Sequence, residues 1–304
     1  MGTARLTSIH VHPVKSLRGL APREAEVEPW GLAGDRRWAL IDDKGRVVTQ
    51  RQCPRLARAA AALLPGGGVR LSAPGLPDVE ARVPGRGPTV TVQIFGDTVT
   101  AVPARESAAH AWARRWLGAD VRLVHLDDPA VRRPVDPAYA LPGETVSFAD
   151  GYPLLLTATA SLDALNSLVA QGDHPGEGPL PMDRFRPNVV VGGTGAWAED
   201  GWERLAIGEV VFRVAKRCGR CVVTTTDQRT GERGREPLRT LGRHRSIGGR
   251  LVFGQNLVPL TRGTVRVGDP VTVLAAGTPP ARSADRDSAP GAGTGAGVRR
   301  VGKG

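Results

Sequence analysis

The chain has 304 residues, 40% of them hydrophobic, and a formal net charge of +11, which is enough apolar material for one large domain or two modest ones. The positive balance invites a nucleic-acid partner, but arginine is spread along the whole chain and aromatic residues make up only 4% of it, too few for base-stacking platforms, so no nucleic acid is expected. Cys53, Cys218 and Cys221 are too few for a disulfide framework or for a four-thiolate zinc or iron–sulfur site.

From Leu6 to about Val124 the pattern predicts short strands separated by turns. Trp38-Ala39-Leu40-Ile41, Asp42-Asp43-Lys44-Gly45 and Val47-Val48-Thr49 read as one hairpin. Val90 to Phe95, Gly96-Asp97 and Thr98 to Val102 read as another. Helices are predicted over Arg55 to Leu64 and over Ser107 to Leu117, the second placing Trp112 and Trp116 one turn apart on one face. A polar connector, Asp127 to Pro137, leads into a helix marked by Leu162, Leu165, Leu168 and Val169. After a Gly/Pro-rich loop from Gly172 to Pro181, strands are predicted at Asn188 to Val191, Glu209 to Ala215, Cys221 to Thr226, Thr264 to Val267 and Val271 to Leu274. The last thirty or so residues, rich in Gly, Ala, Pro, Ser and Arg, read as disordered. The fold class is therefore mainly β with some helices (α+β), divided into an N-terminal β-barrel-like domain at 1–124, a second β domain at 125–274 and a tail at 275–304. No apolar run reaches the ~20 residues of a membrane span and no signal-peptide pattern opens the chain, so a cytoplasmic protein with no membrane association is expected.

Cys218-Gly219-Arg220-Cys221 carries the clearest chemistry. A redox Cys-x-x-Cys should open a helix that lowers the thiol pKa; the β-branched run Val222-Val223-Thr224-Thr225-Thr226 is a poor helix opening. Two readings remain from the residues: a pair of small buried side chains, or a thiolate favoured by Lys216, Arg217 and Arg220 and suited to a soft metal. Lys15-Ser16 at a strand end reads as a phosphate clamp or as plain surface. Arg36 and Arg186 precede strands, Asn188 begins one, and Asp150 lies in a turn; each has a solvated or structural alternative. His10 and His12 fall on one strand face and read as surface histidines. Gly192-Gly193-Thr194-Gly195 lacks the spacing of a dinucleotide loop, and no Gly-x-Ser-x-Gly or Walker pattern occurs, which leaves hydrolase and ATPase chemistry without support.

In order along the chain come His12-Pro13-Val14-Lys15-Ser16, Gly34-Asp35-Arg36-Arg37-Trp38, Gln50-Arg51-Gln52-Cys53-Pro54-Arg55-Leu56, Phe185-Arg186-Pro187-Asn188, Cys218-Gly219-Arg220-Cys221 with Thr224-Thr225-Thr226-Asp227, Phe253-Gly254-Gln255-Asn256 and Val267-Gly268-Asp269. As an ordered set they resemble the MOSC-domain proteins with an N-terminal β-barrel domain, the group that includes the mitochondrial amidoxime-reducing component and its bacterial relatives. The resemblance runs from about Leu6 to Leu274 and implies a β-barrel MOSC domain after residue 124. It further implies a molybdenum cofactor (Mo-molybdopterin), with Cys221 as catalytic residue and metal ligand. Lys15, Ser16, Arg36, Arg186 and Asn188 would hold the pterin and its phosphate, Arg220 would lie beside the thiolate, and Asp150 and Asn256 would add contacts. The implied reaction is reduction of N-hydroxylated small molecules, N–OH to N–H, using two electrons and two protons and releasing water. The electrons would come from a separate donor protein of ferredoxin, flavin reductase or cytochrome type, since no further cysteine follows Cys221. A cofactor carrier without turnover, or a sulfur carrier with a persulfide on Cys221, are the alternatives. Asp227 is a candidate proton donor or else a turn carboxylate.

Overall fold

The computed structural model describes residues 3–135 and 138–277, and all but the first three residues of the expected tail lie outside them. The chain is mostly β, as expected. Turn chemistry shapes its first half. Phe95 and Gly96, with φ of 52° and 91°, make the tight turn between strands Val90–Ile94 and Asp97–Pro103, so Ile94 faces Asp97; two positive φ angles suit the right-handed twist of a two-residue hairpin. The turn thus lies one residue earlier than the Gly96-Asp97 read from the sequence. Strand Trp38–Asp42 turns where the Asp42 carboxylate accepts the Lys44 and Arg46 N–H groups, and Val47 returns opposite Ile41. Strands 38–42, 121–125, 97–103 and 90–94 form a four-stranded sheet in that order. The helix Ser107–Leu117 packs beside it with Trp112 and Trp116 buried, as their spacing predicts.

The helix expected over Arg55 to Leu64 does not form. Pro54–Arg58 is a single 3₁₀ turn, and Ala60–Leu63 is a strand paired with Val69–Ala73, which pairs in turn with Leu76–Ala81. The helical preference of alanine is worth only tenths of a kcal/mol per residue over most others. Pairing buries Ala61, Val69 and Leu71 under Leu56, Trp38 and Trp112, and tertiary packing wins.

The largest sheet has eight strands. Its main path runs Arg5–Ile9, Val189–Gly192, Leu154–Ala158, Arg250–Pro259, Val210–Gly219, Trp202–Ile207, Val271–Ala276. Leu154–Ala158 and Val189–Gly192 are parallel, and a parallel pair needs a crossover; the predicted helix supplies it as Thr159–Ala170, with Leu165 and Val169 buried. The sheet curls until its ends meet, where Leu6 N–H donates to Asp269 O at 2.9 Å and Gly268 N–H to Leu6 O at 2.8 Å. Leu6, Ile9, Leu156, Val191, Ile207, Phe212 and Leu257 fill the interior. The strands do not sort at residue 124: Arg5–Ile9 lies in this sheet, and Gly263–Arg266 pairs back onto Glu24–Glu28.

Strand Val210–Gly219 continues well past the expected end at Ala215, and its register against Arg250–Pro259 slips between Val214 and Lys216 and again between Arg217 and Gly219. Such irregularities bend a strand and re-aim its side chains, here just before Cys221. The strand expected over Cys221 to Thr226 is absent. Cys221 is extended, Val222–Thr225 is a 3₁₀ turn, and the Thr224 and Thr225 hydroxyls donate to the carbonyls of Cys221 and Val222, each at 2.9 Å. Those local bonds offer the threonines an alternative to a ladder. On the facing strand Gly254 has a φ of +78°, and a Cβ there would stand 2.5 Å from Leu156 O. Gly254→Ala is therefore expected to lower stability in urea by about 2 kcal/mol or more. Gly96→Ala, at φ +91° but with open space around the added carbon, should cost about 1 kcal/mol.

Candidate functional site

A cavity of about 260 Å³ opens where the two halves of the chain meet. Lys15, Ser16, Arg36, Asp150, Arg186, Asn188, Arg220, Cys221 and Asn256 all line it, so the structure brings these nine candidates into one place and leaves Asp227 outside it. Lys216 and Cys218, from in and beside the cysteine motif, join them, as do Arg51 and Arg250, which have no sequence-derived role. Seven lysine and arginine side chains thus face the cavity against one carboxylate, Asp150.

Backbone zipping sets the first-half residues. Lys15 N–H donates to Trp38 O and Arg36 N–H to His12 O, both at 2.8 Å, locking segment 12–16 to segment 34–38. Lys15 Nζ then reaches Phe148 O and Asp150 Oδ1, each at 2.6 Å, while Asp150 Oδ2 accepts from Arg51 at 2.9 Å. Burial pushes the Lys15 ammonium down to about 8 against the pull of Asp150. Asp150, its side chain 61% accessible on the cavity wall, is pushed up by its surroundings but held well below the usual carboxylate range by Lys15 and Arg51. Arg51 also stacks 4.4 Å from the Phe95 ring and interacts with the Cys221 sulfur. Its signal in the sequence was its place in Gln50-Arg51-Gln52-Cys53-Pro54.

Ser16, Arg36 and Arg186 have φ of 70°, 48° and 52°, three of the five positive values at non-glycine residues among those described. Left-handed backbone at such residues costs about 1–3 kcal/mol each and gathers at functional sites. The Arg36 guanidinium bridges Asp35, Asn188 Oδ1 and Arg186 O. Arg186 is buried, donates to Leu17 O at 2.8 Å, and has no carboxylate within ion-pair distance among the described residues. Burial first, and Arg36 second, push its guanidinium down to about 9; at neutral pH it remains a buried cation lacking an anion.

Asn188 is wholly engaged in holding elements together: Oδ1 accepts from Leu155 N–H and Arg36, and Nδ2 donates to His10 O. Arg220 lines the cavity beside Cys221. Its Nη1 donates to Cys218 Sγ at 2.9 Å and its Nη2 to Phe185 O at 2.7 Å, so the neighbouring sulfur it bonds is Cys218 and not Cys221. Its Nε is buried without a partner among the described residues. Asp227 lies away from the cavity lining, with its carboxylate on the N–H groups of Arg229 and Thr230 and on Arg184, which is the turn-carboxylate reading. His12 is no surface residue: it is buried, and burial together with Arg186 and Arg36 keeps its ring neutral.

No group of three or more His, Cys, Asp or Glu side chains placed to hold a metal ion occurs among the described residues. Cys221 can give a metal one sulfur ligand, and the others have to arrive with the metal. A dense set of cations, an unanswered buried guanidinium and the Cys218/Cys221 thiols suit an anionic, metal-bearing organic group with a phosphate.

The site and scaffold together define a mainly β protein with a cation-lined cavity beside a cysteine pair. Residues 3–120 match the MOSC N-terminal beta barrel domain and residues 143–272 the MOSC domain. Mitochondrial amidoxime-reducing component 1 of Mus musculus is 33% identical over 288 residues, covering 88% of this chain and 82% of that protein. The protein of the same name from Homo sapiens is 33% identical over 289 residues with the same coverage. The molybdenum cofactor sulfurase of Oryza sativa subsp. japonica is 28% identical over 275 residues, covering 82% of this chain and 32% of that protein. The chain belongs to the MOSC-domain proteins that carry an N-terminal MOSC β-barrel domain, a molybdenum cofactor-associated family.

Two expectations follow from the electrostatics. Inorganic phosphate should raise the thermal midpoint of cofactor-free protein in a concentration-dependent way, because an anion that binds only the folded cavity stabilises it by mass action; Arg186→Gln should abolish the rise. The second concerns pH. Lys15 has a folded pKa of about 8 against an ordinary 10.5, so between those values the unfolded chain binds the proton that the folded chain has released. The contribution of Lys15 to stability therefore rises with pH through that window and is a fixed cost below it. Urea unfolding from about pH 7 to about pH 10 should show a rise in wild type that is smaller in Lys15→Met.

Proposed function

We propose that the cavity receives the molybdenum cofactor, with Cys221 as its thiolate ligand, and that the loaded protein reduces N-hydroxylated small molecules from N–OH to N–H. The observation that carries this reading is the buried Arg186 guanidinium without a carboxylate, in a cavity where seven cations surround one thiol-bearing corner. When bound, the cofactor supplies two-electron redox chemistry at molybdenum.

The chain's own residues do the rest. Lys15, Ser16, Arg36 and Arg186 hold the phosphate and the polar edge of the pterin, and Asn188 serves by fixing Arg36. Asp150 bridges Lys15 and Arg51, accepting from one on each oxygen, and so fixes both cations on the cavity wall. Arg220, tied to Cys218 and Phe185, leaves its Nε for the ligand. Asn256 and the Cys221 sulfur complete the wall. No described helix is long and apolar enough to cross a membrane. A separate electron-donor protein of ferredoxin, flavin reductase or cytochrome type delivers the electrons, in a cytoplasmic setting.

Expression in a host that makes the cofactor tests the reading. Wild type should carry close to one molybdenum per chain and reduce a simple N-hydroxy amidine with an artificial reductant, whereas Cys221→Ala should lose the metal and the activity together. Molybdenum without turnover would favour a carrier. A wild type free of molybdenum whose Cys221 acquires sulfane sulfur would overturn the enzyme reading in favour of a sulfur carrier.

A further inference from the structure

The cavity's one carboxylate stands on a segment, 147–150, that belongs to no strand or helix. Four consecutive carbonyls of that segment are taken by two buried cations. Arg133 Nη1 donates to Ser147 O at 2.7 Å and to Ala149 O at 2.5 Å, and its Nη2 donates to Asp150 O at 3.1 Å. Lys15 Nζ takes the intervening Phe148 O. Arg133 is 2% exposed, and its far side meets Asp97 Oδ2 at 3.0 Å. Asp97 opens the second strand of the hairpin whose turn residue Phe95 stacks on Arg51 and on Lys15.

We propose that Arg133 is the positioning residue of this cavity: it clamps the 147–150 loop to the Phe95–Asp97 turn and so aims the Asp150 carboxylate at Lys15 and Arg51. A buried arginine is costly, and an apolar side chain would fill the same space without that cost. What a guanidinium alone provides is a planar fork of five donors able to serve several acceptors at once. A lysine at this place is a point charge and leaves carbonyls of the loop unanswered. The clamp rests on protein atoms only; its consequence for cofactor retention rests on the function proposed above.

Hydrogen exchange on cofactor-free protein tests it, with the Phe148 amide, bonded to Arg36 O at 2.9 Å, as reporter. In Arg133→Lys that amide should exchange about tenfold faster or more, since charge-assisted bonds are lost from its loop. Strand Leu154–Ala158 should exchange as in wild type. The Lys15 ammonium, followed by NMR, should titrate at lower pH as Asp150 turns away. Asp97→Asn, which alters a carboxylate that is 52% accessible, should produce the same local pattern more weakly and keeps the test decisive where Arg133→Lys fails to fold. Unchanged Phe148 exchange in both variants, or acceleration spread evenly over the chain as in a core variant such as Leu71→Ala, would overturn the proposal. In loaded protein Arg133→Lys should also hold less molybdenum. A wild type without molybdenum would overturn the cofactor reading and leave the exchange result standing.

Discussion

A buried guanidinium without a counter-ion is the constraint to which the rest of the site answers. Arg186 lies beside Arg36, whose charge is met by buried Asp35, while Asp150 answers Lys15 and Arg51, so that among the described residues no carboxylate is within ion-pair distance of Arg186 itself. Like charges held together in a region of low polarity repel, and they stay folded only where the surrounding structure dictates their positions. Three features do so here. The 12–16 and 34–38 segments zip backbone to backbone, Asn188 ties three elements with its one amide, and Ser16, Arg36 and Arg186 are held in left-handed backbone outside the strands. An anion relieves the repulsion that the fold tolerates without it.

The sequence made much of this legible because the site residues sit in short motifs at strand ends, where turn chemistry is local. Lys15-Ser16, Arg36 and Arg186-Pro187-Asn188 were recognisable as cationic loop segments before any contact was known, and the resemblance of the ordered motifs to one family joined them. The hairpins were readable for a similar reason: Asp42 and Phe95-Gly96 decide their turns within a few residues. The Trp112/Trp116 helix was readable because both indoles needed burial on one face.

What sequence could not show were outcomes decided by partners far away. Ala60–Leu63 has a helical composition and becomes a strand because Val69–Ala73 is there to pair with it. The β-branched run after Cys221 would suit a strand, yet it leaves the sheet past the slipped register of Val210–Gly219 and closes a 3₁₀ turn through its own hydroxyls. Arg220, expected beside the Cys221 thiolate, lines the cavity with it and spends its hydrogen bond on Cys218, a partner that only the folded chain reveals. Arg133 lay in a stretch that read as a polar connector; only the folded chain reveals the carbonyls converging on it.

The interleaving of the two halves gives these details a common origin. Lys15, Ser16, Arg36 and Arg51 come from before residue 124, and Asp150, Arg186, Asn188, Arg220, Cys221 and Asn256 from after it. A cavity divided in this way works only if the halves hold a fixed relation. Strand Arg5–Ile9 is hydrogen-bonded into the second half's sheet and Gly263–Arg266 into the first half's Glu24–Glu28 ladder, so neither half completes its pairing alone. A ligand bridging the cavity would then add to the stability of both at once, and because Leu6, Ile9 and Val265 on the exchanged strands are themselves core residues, the seam and the core stand or fall together.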